Sequence, residues 1–314
     1  QSIMEIGPVT TETAPSNSPV IVWFRRDLRL ADNPALNHAL ATGRRVLPIY
    51  VHDKGGAVRP AGAASLWWLD GSLRALAADL SARGALILRR GDSEAELRRL
   101  IAETGADAVV LNRLFESEAW ERDATIAHGL KAEGVDCRGF NGSLLARPGS
   151  VLTGSGGPYK VFTPFMKALL SVAVPPEPAP APTAIPGVRD VASDALDDWA
   201  LKPTRPDWAK GFIGTPGEAG AAAALTAFVK DGLKTYSRSR DIPGVDGTSR
   251  LSPHLHFGEL SPWRAVAAAR AAADDGGVSA VEADKFVAQL GWRDFSAHLL
   301  HQFPAMADRA FRPD

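Results

Sequence analysis

Between Tyr236 and Pro262 the chain reads YSRSRDIPGVDGTSRLSPHLHFGELSP. Within it, GTSRLSP at residues 247–253 sets three hydroxyls, an arginine and closely spaced backbone amides after a turn-permitting glycine. Donors that converge in this way suit concentrated negative charge such as a phosphate group. A diphosphate can be satisfied by neutral hydroxyls, without many buried lysines. The plainer alternative is a helix start, because Ser252 precedes Pro253 at a favourable first helical position. The preceding run YSRSR, with Tyr236, Arg238 and Arg240, suits a nucleic-acid backbone or another phosphate.

A second group lies in FVAQLGWRDFSAHLLHQFP, residues 286–304. Placed on a helix, Glu282, Phe286, Gln289 and Arg293 share a face, with Trp292 and Phe295 beside them. Taken alone, this pattern reads first as an amphipathic core helix with two aromatics inside. A third group is WFRRDLRLADNPAL, residues 23–36, where Arg25, Arg26, Asp27 and Arg29 follow a short apolar run. These charges either line a ligand crevice, lock two domains together, or form ion pairs that cap a strand and the next helix. In the last case Asp32 or Asn33 is the N-cap before Pro34. His254, His256, His298 and His301 lie near Glu259, but nothing supplies a convincing metal-ligand set, and no metal is expected. Cys137, the single cysteine, allows no internal disulfide and reads as a buried structural thiol.

The elements that must hold these residues change character along the chain. From Pro19 to Phe140 short β-branched runs (20–24, 45–51, 85–89, 108–112 and 135–140) alternate with apolar patterns at helical spacing. That alternation predicts a doubly wound, parallel five-stranded sheet covered by helices on both faces, with ligands beyond the strands' carboxyl ends. No GxGxxG follows the first strand, and GSGGPY at 154–159 is interrupted by Pro158, which disfavours a dehydrogenase-type dinucleotide site. Proline density over 174–187 favours extended backbone, with one short helix near 162–172. Helices alone follow, near 217–232, 261–275 and 279–302. The expected organisation is a flexible leader over 1–18, an α/β domain over 19–141, a linker over 142–207 and part of an all-α domain over 208–314.

A chain of 314 residues with 45% hydrophobic and 23% charged residues is globular and long enough for two domains. The net charge of −1 excludes a generally basic coat, so any DNA binding must come from a local patch. No apolar run approaches a membrane span and no secretion signal is recognisable, so the expected setting is cytoplasmic; a monomer is expected.

On YSRSR…GTSRLSP, WFRRDLRLADNPAL and QLGWRDF (289–295), in this domain order, the chain resembles the photolyase/cryptochrome family of flavoproteins. The resemblance covers nearly all of residues 20–314. It implies FAD contacts from Tyr236, Thr248, Ser249, Arg250, Leu251, Ser252, Phe286, Gln289 and Arg293. It implies DNA contacts from Arg240, Trp292 and Arg293, with Gln289 and Trp292 facing the flipped lesion. The implied activity is light-driven splitting of cyclobutane pyrimidine dimers in DNA by excited reduced FAD. The alternatives are a blue-light receptor of cryptochrome type or repair of the (6-4) photoproduct. Dimer-splitting members usually carry glutamate where this chain has Gln289, which predicts weaker dimer repair. The family's folate-binding members have an Asn–Glu pair after the fourth strand. NRLFESEAWERD (112–123) lacks it, so a second antenna chromophore is left unassigned, with Glu116, Glu118 and Trp120 either touching it or forming a solvated helix start. Family members continue well past FRPD, so the chain is expected to be a fragment or one piece of a nicked protein. In that case it would bind FAD poorly alone, or be inactive without its other half.

Overall fold

Val20–Phe24 (β1), Val46–Asp53 (β2), Ile87–Gly91 (β3), Ala108–Asn112 (β4) and Asp136–Phe140 (β5) form one parallel sheet in the order β3–β2–β1–β4–β5. In this computed structural model residues 17–56 and 58–311 are described, and most of the expected leader lies outside them. Every residue of β1 is buried, because the strand is covered on both faces. Val20, Val22 and Phe24 pack with Leu36 and Ala39 of α1 (Pro34–Ala41) and Leu69, Leu73 and Leu76 of α2 (Ala63–Ser81). Ile21 and Trp23 pack with Leu97 and Leu100 of α3 (Ser93–Thr104) and Ile126 and Leu130 of α4 (Ser117–Ala132). Alternate side chains of an extended strand point to opposite faces, so two cores form from one apolar run. Strand order reverses between β1 and β4, the switch point at which such sheets open a crevice.

The proline-rich connection is a strap. It has no helix or strand from residue 173 to 195, as its composition dictates. Yet Ala179 O accepts from Asp32 N, Pro186 O from Val46 N, and Asp194 N donates to Leu88 O, each at 2.7–2.8 Å. Ser193 Oγ also accepts from Leu88 N at 2.9 Å, so the strap covers the open edge of β3. Ile185, Trp199 and Leu201 are buried in the same core as α2. By contrast α5 (Phe162–Val172), inside the span expected as linker, buries Phe165 and Leu169 in the helical domain.

That domain comprises α6 (Glu218–Ala227), which continues through a π-turn and a 3-10 turn into α7 (Tyr236–Ser239). It goes on through α8 (Ser252–His256), α9 (Pro262–Asp274) and α10 (Ala280–Gln302). Its core gathers Phe165, Leu225, Phe228, Leu251, Phe286 and Phe295.

The charges after β1 divide the roles that the sequence left open. Asn33 is the N-cap of α1, its side chain accepting from Leu36 N. Arg25 pairs with Asp123 at 2.7 Å, and Asp27 accepts from Asn112 Nδ2 at 2.7 Å, closing a network over the strand ends. Arg29 locks the domains: it is 2% exposed and donates to Gly258 O at 2.8 Å and to Gly142 O and Asp32 O at 2.7 Å. Leu28 N donates to Phe257 O at 3.0 Å beside it. Gly258 has φ +67, and a Cβ there would lie 2.1 Å from Arg26 O, so only glycine lets the two backbones meet.

Candidate functional site

The loop before α8 is set by two packing constraints. Gly247 passes so close to Ser239 that a Cβ would sit 2.6 Å from its side chain. Leu251, fully buried in the helical core, anchors the other end. Between them Thr248, Ser249 and Arg250 face a cleft of about 820 Å³, joined by Ser252 of α8. Arg250 has φ +52, and its Nε pairs with Asp246 at 2.8 Å. The Thr248 and Ser252 side chains make no hydrogen bond among the described residues, so their hydroxyls are available to a ligand. Leu251 turns its side chain away, leaving only backbone to offer there.

Phe286, Gln289 and Arg293 of α10 and Tyr236 of α7 also line the cleft, with the Tyr236 and Phe286 rings in edge contact at 5.7 Å. Arg293 is held by donating to the carbonyls of Ser143 and Leu255, the latter at 3.0 Å. Burial lowers its pKa, with Asp294 and Glu116 acting the other way. Glu282, one turn before Phe286, is occupied elsewhere, accepting from Ser237 N and Oγ at 2.5 and 2.8 Å, which ties α7 to α10.

Trp292 and Arg240 stand apart from the lining. Trp292 stacks on Phe162 of α5 with ring centroids 3.7 Å apart and an interplanar angle of 8°, and is 44% exposed. Arg240 lies over the Tyr236 ring at 5.6 Å and pairs with Asp241 at 3.0 Å.

Arg26, among the charges read as lining a ligand crevice, does line this cleft, and Glu116 and His256, which the sequence did not assign to it, lie there too. Arg26 and Glu116 come from the carboxyl ends of β1 and β4 and pair with each other, so the α/β domain builds one wall. His256 of α8 joins them. Burial works to raise the Glu116 pKa, but Arg26 and His256 bring it below the usual carboxylate range. Burial, then Arg26, lowers that of His256. The available signal was positional, since both strand ends flank the switch point of the sheet. Of the other residues considered for a chromophore, Glu118 accepts from Arg59 N at 2.9 Å, and Trp120 stacks on Phe115 and meets the edge of His301. His254 Nδ1 lies 2.5 Å from Glu259 Oε2, and no group of three or more His, Cys, Asp or Glu side chains suited to a metal occurs among the described residues. No helix among those residues is long and apolar enough to cross a membrane.

The donor set fits FAD. Uncommitted hydroxyls and Arg250 suit a diphosphate, the aromatic residues Tyr236 and Phe286 suit flat rings, and the volume is within the range of small-molecule and cofactor pockets. Fold and cleft together define a doubly wound α/β domain joined to a helical domain, with an anion-suited site where they meet. A model of the DNA photolyase family matches residues 20–183. A deoxyribodipyrimidine photo-lyase of Agrobacterium fabrum is 42% identical over 93% of this chain and 61% of its own length. Cryptochrome-1 of Arabidopsis thaliana is 32% identical over 92% of this chain and 44% of its own length. The crystal structure of a bacterial class III photolyase from Agrobacterium tumefaciens superposes with TM-score 0.89 at 40% identity, over 97% of this chain and 63% of that one. An archaeal photolyase from Sulfolobus tokodaii, solved with two FAD molecules, gives TM-score 0.72 at 25% identity, over 94% and 62%. The chain belongs to the DNA photolyase family. It spans about six-tenths of the length of the photo-lyase and photolyase chains it matches.

Proposed function

We propose that this chain forms the α/β domain and part of the flavin domain of a light-driven repair protein that splits cyclobutane pyrimidine dimers in DNA. The observation that carries this reading is the convergence of Thr248, Ser249, Arg250 and Ser252 with Phe286, Gln289 and Arg293 in one cleft. The FAD-bearing archaeal relative supports the choice of cofactor.

FAD held here would supply the light-driven electron, and the chemistry would be the cofactor's. The hydroxyls of Thr248, Ser249 and Ser252, with Arg250, would hold the diphosphate. Tyr236 and Phe286 exclude water from the cleft's inner wall. Arg293, already fixed by two carbonyls, keeps a positive charge at a set depth. Gln289 donates a neutral amide hydrogen bond where negative charge develops on the lesion carbonyls. Trp292, packed on one face by Phe162, retains exposed surface on which a flipped base could stack, offsetting part of the few kcal/mol that extrusion costs. Arg240 would meet a DNA phosphate from outside the cleft.

A receptor of cryptochrome type is the second reading, favoured by the neutral Gln289 and by the similarity to Cryptochrome-1. Incubation with a dimer-containing oligonucleotide, in darkness and under blue light, separates the two. Intact bases restored by light support repair, whereas flavin photoreduction without lesion binding supports the receptor. Absence of flavin binding rejects both for this chain.

A further inference from the structure

Glu259 lies between α8 and α9 and its side chain is fully buried. A carboxylate at such depth is costly unless its lone pairs are all engaged. Here Oε1 accepts from Trp68 Nε1 at 3.1 Å and Ser72 Oγ at 2.5 Å, both on α2, and from Gly217 N at 2.7 Å, just before α6. Oε2 faces His254 Nδ1 of α8 at 2.5 Å, and Glu259 N donates back to His254 O at 2.8 Å. Three elements from both domains therefore converge on one side chain. Gly217 has φ +103, and a Cβ there would lie 2.4 Å from Ala75 Cβ, so α2 and the start of α6 are already in contact. No atom of this cluster lines the cleft, apart from what α8 carries: Ser252, Leu255 and His256 line it, and Thr248–Arg250 precede them.

We propose that Glu259 is a positioning residue for the anion-facing loop, holding Thr248–Ser252 in place from the α/β domain through His254 and α8. The loop's own anchors, Gly247 and Leu251, fix its path against the helical core. They do not tie α8 to α2; Glu259 does, beside the edge contact of the Trp68 and His254 rings and the bonds from Leu28 and Arg29 to the carbonyls of Phe257 and Gly258 at the end of α8. Affinity for a diphosphate-bearing ligand then depends on the docking of the two domains. The inference rests on the FAD reading only for that last consequence.

Two readouts test it on the whole chain. In the unliganded protein, amide hydrogen exchange over residues 248–256 should accelerate at least ~10-fold in Glu259→Ala, which removes four hydrogen bonds, the factor expected from one such bond to a charged group alone. Glu259→Gln, which keeps an acceptor for α2, should recover most of the protection. Leu73→Ala, a core truncation in α2 remote from the loop, should lower Tm without this local effect. The FAD dissociation constant should rise in the same order, measured by flavin fluorescence at a temperature where all variants are folded. Should Glu259→Ala not fold, His254→Ala cuts the same tie at its α8 end. Exchange over 248–256 that is unchanged, or equally raised by Leu73→Ala, overturns the proposal. A wild-type chain that takes up no FAD even at millimolar concentration overturns the cofactor reading for this chain instead, and the exchange data still decide the role of Glu259.

Discussion

Arg293 and Asp294 are neighbours in sequence and divide in space, one lining the cleft and the other turning into the core. Asp294 accepts from Ala146 N at 2.9 Å, is fully buried, and its second oxygen has no partner. Burial pushes its pKa from the ordinary 3.8 to about 7. Between those values the folded chain retains a proton that the unfolded chain has lost. Stability should therefore fall as pH rises from about 4 to about 7 and level off above, by at most about 4 kcal/mol. Asp294→Asn should flatten that slope in urea unfolding across this range, and equal slopes in the two proteins would reject the assignment. The proposed repair activity depends on Gln289. As a glutamate it could donate a stronger, charge-assisted bond to the lesion as charge develops. In the whole protein Gln289→Glu should raise the quantum yield of dimer splitting several-fold, and an unchanged yield would remove Gln289 from the account.

The elements show what was legible and what was not. All five strands lie within a residue or two of the β-branched runs, and α5 falls on the helix foreseen inside the linker, because local apolar pattern decides both. The docking of the strap was not legible. Ala179, Pro186 and Asp194 bond to the α/β domain through backbone groups, which carry no sequence signal. Arg29 is similar: its type suggested an ion pair, yet its partners are carbonyls of Gly142, Gly258 and Asp32. Within the cleft, Phe286, Gln289 and Arg293 could be grouped by helical spacing. Arg26 and Glu116 join them only through the tertiary meeting of the domains. Arg29→Met should destabilise the chain by roughly 3 kcal/mol, since it strips donors from buried carbonyls in both domains. Chemical denaturation measures this, and a loss below 1 kcal/mol would show that the lock is incidental.

For the molecule as a whole, the cleft is a product of docking. The α/β domain supplies Arg26 and Glu116, and the Trp68 and Ser72 side chains that bond Glu259, and the helical domain supplies the hydroxyl loop and the α10 face. Both domains line the cleft, while the donors suited to a diphosphate come from the helical domain, a local patch in a chain of net charge −1. The most direct measurement is a crystal structure of the chain soaked in millimolar FAD, a concentration high enough to fill a weak site. The account predicts electron density for the diphosphate against Thr248, Ser249, Arg250 and Ser252, with flat-ring density between Phe286 and Arg293. Density for the dinucleotide anywhere else, with this loop bare, would contradict it.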